Sequence, residues 1–148
     1  MTETAFESLV VGQSVEVPTV VTAHIVELFA EATGDRNPVH LDEEFAAKSR
    51  FGGRIAHGML TAGFVSAAIA SKLPGPGSIY MGQTLRFTRP VKLGDTVTVK
   101  LEVIEIIAEK KRVRLSTVCT NQNGETVMEG EATVMVPGER APPGGTQM

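Results

Sequence analysis

Hydrophobic and polar positions divide this chain into two halves with different periods. From Thr22 to Thr33, the apolar residues Ile25, Leu28, Phe29 and Ala32 recur at i, i+3, i+4 and i+7. That spacing predicts an amphipathic helix. In the second half the period falls to two. Val97, Val99, Leu101 and Val103 alternate with Thr98, Lys100 and Glu102, the pattern of a strand with one buried face. Four segments read as strands: Ile79 to Phe87, Thr96 to Ile106, Arg112 to Thr120 and Glu125 to Val136. Leu93-Gly94-Asp95 and Asn121-Gln122-Asn123-Gly124 carry turn chemistry, the latter joining the last two strands as a hairpin.

Between the halves, Gly58 to about Lys72 is apolar on nearly every face, through Met59, Leu60, Ala62, Phe64, Val65 and the residues up to Ala70. At roughly fifteen residues this run is too short for a bilayer and too uniform for a surface helix. It predicts a buried central helix, thinned by Gly63 and its alanines so that a sheet can wrap closely around it. Pro74-Gly75-Pro76-Gly77 ends it.

Upstream, a short strand is expected around Ser14 to Val17, with Pro18 and Thr19 marking the approach to the first helix. Gly34 stops that helix, because glycine accepts the left-handed conformation of a C-terminal cap. Pro38 is expected to keep the next residues out of helix. Asp42 to Lys48 forms a second short helix with acids in its first turn. Arg50 to Gly53 is a loop, and the Gly/Pro-rich stretch 138–148 is a loose tail. One domain is expected over 1–148, with its core from about 10 to 137. Helices followed by long antiparallel strands predict an α+β fold, one sheet wrapped around the hydrophobic helix. Its open edges and uncovered face favour dimerisation.

A chain of 148 residues can bury a substantial core. A net charge of -3 gives no basic footprint for nucleic acid. Cys119, the single cysteine, cannot form an intrachain disulfide, and Met1 to Thr4 has neither the charge nor the apolar core of a secretory signal. A cytoplasmic protein with no membrane partner is expected. The three histidines and Cys119 lack the spacing of a zinc site, so no metal is expected. Phosphate-loop and nucleophile-elbow motifs are absent from the sequence.

The chemistry concentrates in two stretches. Asp35-Arg36-Asn37-Pro38-Val39-His40 sets a carboxyl group and an imidazole five residues apart, just beyond a helix end. They are either a capped loop or a pair sharing one water. Arg54-Ile55-Ala56-His57-Gly58-Met59-Leu60 opens the apolar helix. His57 reads as a helix cap, whereas the Gly58 amide lies at a helix N-terminus, unsatisfied and able to polarise a carbonyl oxygen. Ser66, two turns on, either bonds back to its own helix or orients Asp35. Arg86, Arg89 and Lys92 are either a solvated face or a phosphate contact for a nucleotide-bearing ligand.

Together these residues resemble the MaoC-like hydratases of the hot-dog fold, in particular the (R)-specific 2-enoyl-CoA hydratases. The hydratase motif Asp-x-Asn-Pro-x-His stands at Asp35 to His40, His-Gly-Met-Leu at His57 to Leu60, and Gly-Ser-Ile-Tyr at Gly77 to Tyr80. Arg86-Phe87-Thr88-Arg89-Pro90-Val91 also fits, and the similarity runs from about residue 10 to 136. Arg54 departs from it, standing where members often have proline. The resemblance implies a lyase of fatty acid metabolism that hydrates a trans-2-enoyl thioester of coenzyme A, with no separate cofactor. It implies that Asp35 and His40 hold the water, Gly58 polarises the thioester and Ser66 steadies Asp35. It further implies that Ala62, Val65 and Phe87 line the substrate channel and that the protein is a homodimer. Dehydration on acyl carrier protein, and thioester hydrolysis on the same fold, are the competing expectations.

Overall fold

The computed structural model describes residues 6–137, so the expected tail after Pro137 lies outside the described residues. Elements follow in the order β1 (Ser14–Val20), α1 (Ala23–Thr33), α2 (Pro38–Leu41), α3 (Glu43–Ala47), α4 (Gly58–Ser71), β2 (Ile79–Phe87), β3 (Thr96–Ile107), β4 (Arg112–Thr120) and β5 (Thr126–Met135). The strands form one sheet in the order β1-β3-β4-β5-β2, and every neighbouring pair is antiparallel. The inward valines and leucines of β3 and β4 join Leu60, Val65, Ala68 and Ile69 of α4 in a single core. This is the helix-on-sheet arrangement that the periodicity predicts, and it is the hot-dog fold. Cys119 belongs to that core, and burial pushes its thiol up to about 12, which makes it a packing side chain.

Local signals explain the helix ends. The Thr22 hydroxyl accepts the Ile25 amide at 3.1 Å, an N-cap. Gly34 takes φ 82° and donates its N–H to the Ala30 carbonyl at 2.8 Å, closing α1 as expected. Asp42 caps α3 by accepting the Phe45 amide.

Four expectations are corrected. The strand β1 continues through Pro18 to Val20, which is tolerated because β1 is an edge strand. The buried line of α1 is Val26 and Ala30, flanked by half-buried Ile25 and Phe29, whereas Leu28 and Ala32 are exposed. Pro38 starts α2 rather than excluding helix: it occupies the first turn, where its missing N–H costs nothing, and Asn37 caps it. Finally, α4 is buried on one side only. Leu60, Thr61, Val65, Ala68 and Ile69 face inward, while Met59 is 55% exposed and Gly63, Ser66, Ala67 and Ala70 are exposed.

Gly130 in β5 holds β2 against the sheet. A Cβ at this position would lie 1.9 Å from the Thr84 carbonyl oxygen, a backbone atom that cannot swing away. Gly130→Ala should therefore destabilise the protein by about 3 kcal/mol, at the upper end of overpacking costs. A urea midpoint equal to that of the wild type would contradict this.

Candidate active site

Two short helical ends and one loop converge on a cavity of about 410 Å³, lined by residues that include Asp35, His40, His57, Gly58 and Phe87. Asp35 is carried just beyond the Gly34 cap of α1. It is exposed; its amide donates to the Thr33 hydroxyl at 3.2 Å, and its Oδ1 accepts a long 3.4 Å contact from the Asn37 amide. The helix that Pro38 initiates then turns His40 inward, leaving it only 8% exposed.

The His40 ring is fixed by the chain on which it packs. Its Nδ1 lies 2.8 Å from the Ile55 carbonyl oxygen. A carbonyl can only accept, so Nδ1 carries the hydrogen and Nε2 is the free nitrogen. Ile55 is itself held, with its amide on the Val39 carbonyl and a bridge to Lys92, while the Ala56 amide donates to Val91 at 2.7 Å. The Arg54 Nε donates to the His40 carbonyl at 2.7 Å. Arg54 thus braces α2. His40 is held below the ordinary histidine range, first by burial and further by the neighbouring His57; the Ile55 carbonyl and Asp35 oppose the shift.

His57 stands at the N-cap position of α4, yet its side chain makes no capping hydrogen bond. Its Nε2–H donates instead to the main-chain carbonyl of Asp35 at 2.9 Å. Its ring stacks on His40 with centroids 3.8 Å apart and planes tilted by 30°. The expectation that His57 merely caps the helix is corrected. Polar atoms of Asp35, His40 and His57 lie within 4.8 Å of one another. One water can span such a gap.

Gly58, the first residue of α4, lines the cavity beneath Phe87. A Cβ on Gly58 would come 2.7 Å from two atoms of the Phe87 ring, so this position admits only glycine while that ring stays in place. As a first-turn residue its N–H has no acceptor within the helix.

Among the expected residues, Asp35, His40, Gly58 and Phe87 are brought together. Ser66 is not. It is exposed on α4, lies outside the cavity lining and makes no hydrogen bond with Asp35. The inward position one turn into α4 belongs to Thr61, which is 2% exposed and lines the cavity. Ala62 and Val65 are also outside the lining, Val65 being fully buried in the core. Met59, Thr61, Val91 and Val127 form the walls that the sequence reading missed. Thr61 was legible in principle, as a hydroxyl one helical turn beyond the active glycine. Of the basic group, Arg89 lines the cavity and pairs with Glu125 at 3.3 Å, whereas Arg86 pairs with Glu129 outside it.

Known proteins are similar to this chain in sequence and fold. The model of the MaoC like domain matches residues 8–128. A 3-hydroxybutyryl-CoA dehydratase from Methylorubrum extorquens is 51% identical, the alignment covering 89% of this chain and 83% of that protein. An (R)-specific enoyl-CoA hydratase from Rhodospirillum rubrum is 48% identical over 89% of this chain and 91% of its own length. The solved structure of the R-hydratase PhaJ1 from Pseudomonas aeruginosa, unliganded, superposes with a TM-score of 0.89 at 51% identity, covering 95% of each chain. Fold and sequence agree: the chain belongs to the MaoC-like domain family.

Proposed function

We propose that this protein catalyses the reversible addition of water to a trans-2-enoyl-CoA, giving the (R)-3-hydroxyacyl-CoA. The single observation that carries this reading is the convergence of Asp35 and His40 on a cavity that reaches the first amide of α4. The stereochemical label is supported by the names of relatives that share about half of the sequence.

The chemistry follows from the donors and acceptors available. The substrate thioester oxygen is placed on the Gly58 N–H. Attack at C3 builds enolate charge on that oxygen, where a fixed amide helps the transition state more than the ground state. Water sits between Asp35 and His40. With Nδ1–H committed to Ile55, neutral His40 receives the water proton at Nε2 as the water oxygen bonds to C3. The resulting imidazolium returns that proton to C2 while Asp35 holds the hydrogen that remains on oxygen. Oxygen and hydrogen therefore add from one face, and the reverse sequence dehydrates the product.

Thioester hydrolysis would need water aimed at the carbonyl carbon, whereas the proposed amide donor holds the carbonyl oxygen away from the pair. The carrier is read as coenzyme A, with Arg89 at the cavity as a phosphate contact. Matched CoA and carrier-protein thioesters test that choice. The assembly is read as a homodimer. Edge strand β2 carries Met81 and Phe87, 40% and 48% exposed, and Phe87 lies over the start of α4, whose outer face of small residues is uncovered. Among the described residues no helix is long and apolar enough to cross a membrane.

Purified protein should consume the enoyl absorbance of crotonyl-CoA, and Asp35→Asn or His40→Gln should each lower kcat by roughly 10²–10⁴-fold. Full activity in either variant would overturn the mechanism. The pH profile has a defined sign. His40 must be unprotonated to accept, so kcat/KM for hydration falls as pH drops through its pKa. Because burial lowers that pKa, the acid limb should lie below the ordinary histidine value of 6.5. A limb above it would contradict the assignment. Sedimentation should give a mass twice that of the chain; a monomer with full activity would refute the dimer.

A further inference from the structure

The His57 ring is 2% exposed and lies between two aromatic neighbours, Phe29 at 4.7 Å and His40 at 3.8 Å. Its Nε2–H reaches the Asp35 carbonyl, and its buried Nδ1 has no hydrogen-bond partner among the described residues. A buried imidazole with one orphan nitrogen costs stability, and a capping role would not account for it, because the side chain caps nothing. Its one polar contact and its closest ring contact both go to the two residues that handle water.

We propose that His57 is a positioning residue that fixes Asp35 and His40 relative to each other. The proposal rests on the reading of those two residues as the water-handling pair. Two restraints are involved. The hydrogen bond at 2.9 Å pins the backbone of Asp35, whose carboxylate, among the described residues, accepts the 3.4 Å contact from Asn37. The stack fixes the tilt of the His40 ring, which Ile55 anchors at a single atom. One rigid side chain thereby couples the end of α1 to α2 across the mouth of α4. Displacements of about 1 Å in such a pair can cost on the order of 10²-fold in rate.

His57 also acts on the charge of His40, since two imidazoles in van der Waals contact resist carrying a proton each. The groups facing His40 are Asp35 from the loop after α1, His57 from α4, and Arg54 on its carbonyl, with Arg89 lining the same cavity. Removing the second imidazole leaves burial alone to disfavour the proton, against Asp35 and the Ile55 carbonyl, which both favour it.

The test uses His57→Phe, which keeps the stack and removes the donor, and His57→Asn, which keeps an N–H donor and removes the ring. Each should lower kcat for crotonyl-CoA by about 10–100-fold, as loss of an outer supporting contact typically does, with KM changed by less than about threefold. In both variants the acid limb of kcat/KM should move to higher pH. Two variants with kcat within about twofold of the wild type and an unmoved limb would overturn the proposal. So would a kcat loss matched by an equal loss of folded protein in thermal melts, which assigns His57 to stability alone. Full activity in His40→Gln would instead overturn the reading of the pair beneath it.

Discussion

The hydrogen bond from His40 Nδ1 to the Ile55 carbonyl decides what this site can do. It commits one ring nitrogen to an acceptor that cannot donate and so leaves the other with its lone pair free. The tautomer is set by backbone rather than by another titratable group, which makes it insensitive to pH. Burial further disfavours the charged ring, holding His40 below the ordinary histidine range. On the proposed mechanism the pair begins with two acceptors around one water. A single proton taken from that water and returned to carbon satisfies the stoichiometry of hydration.

That hydrogen bond depends in turn on where Ile55 is held. The segment before α4 is bridged to Lys92 and hydrogen-bonded through Ala56 to Val91, residues that follow β2. The sheet therefore positions both walls of the cavity: β2 delivers Phe87 over Gly58, and the residues beyond it clamp the segment on which His40 rests. Gly130 permits β2 its close approach, and Gly58 permits the aromatic ring its own. Catalysis here is organised by the main chain, with few side chains left to chance.

Much of this was legible in the sequence. Strands with strict alternation and many valines gave their boundaries to within a residue or two, because one buried face imposes a period of two. Gly34 and Asp42 ended and began helices as their chemistry dictates. The motif singled out Asp35, His40 and Gly58, which the fold brings to one cavity. Sidedness was not legible where the pattern was ambiguous. In α4 nearly every residue is apolar, so the sequence could not say that Ser66 faces outward and Thr61 inward. In α1 the stripe through Leu28 and Ala32 competed with the true line through Val26 and Ala30, and tertiary contact chose the second. Pro38 carried two opposite meanings, helix breaker and first-turn residue, and only the Asn37 cap selected between them. The partner of His57 is a carbonyl 22 residues away, a contact that no local pattern encodes.

The central claim is that Asp35 and His40 act on one water as a unit. A double-mutant cycle measures this most directly, comparing kcat for crotonyl-CoA hydration in Asp35→Asn, His40→Gln and the combined variant. Groups that act together lose their effect together, so the combined variant should be no slower than the poorer single variant by more than about threefold. Losses that multiply across the cycle would mean that the two residues work independently, and the shared water would have to be abandoned.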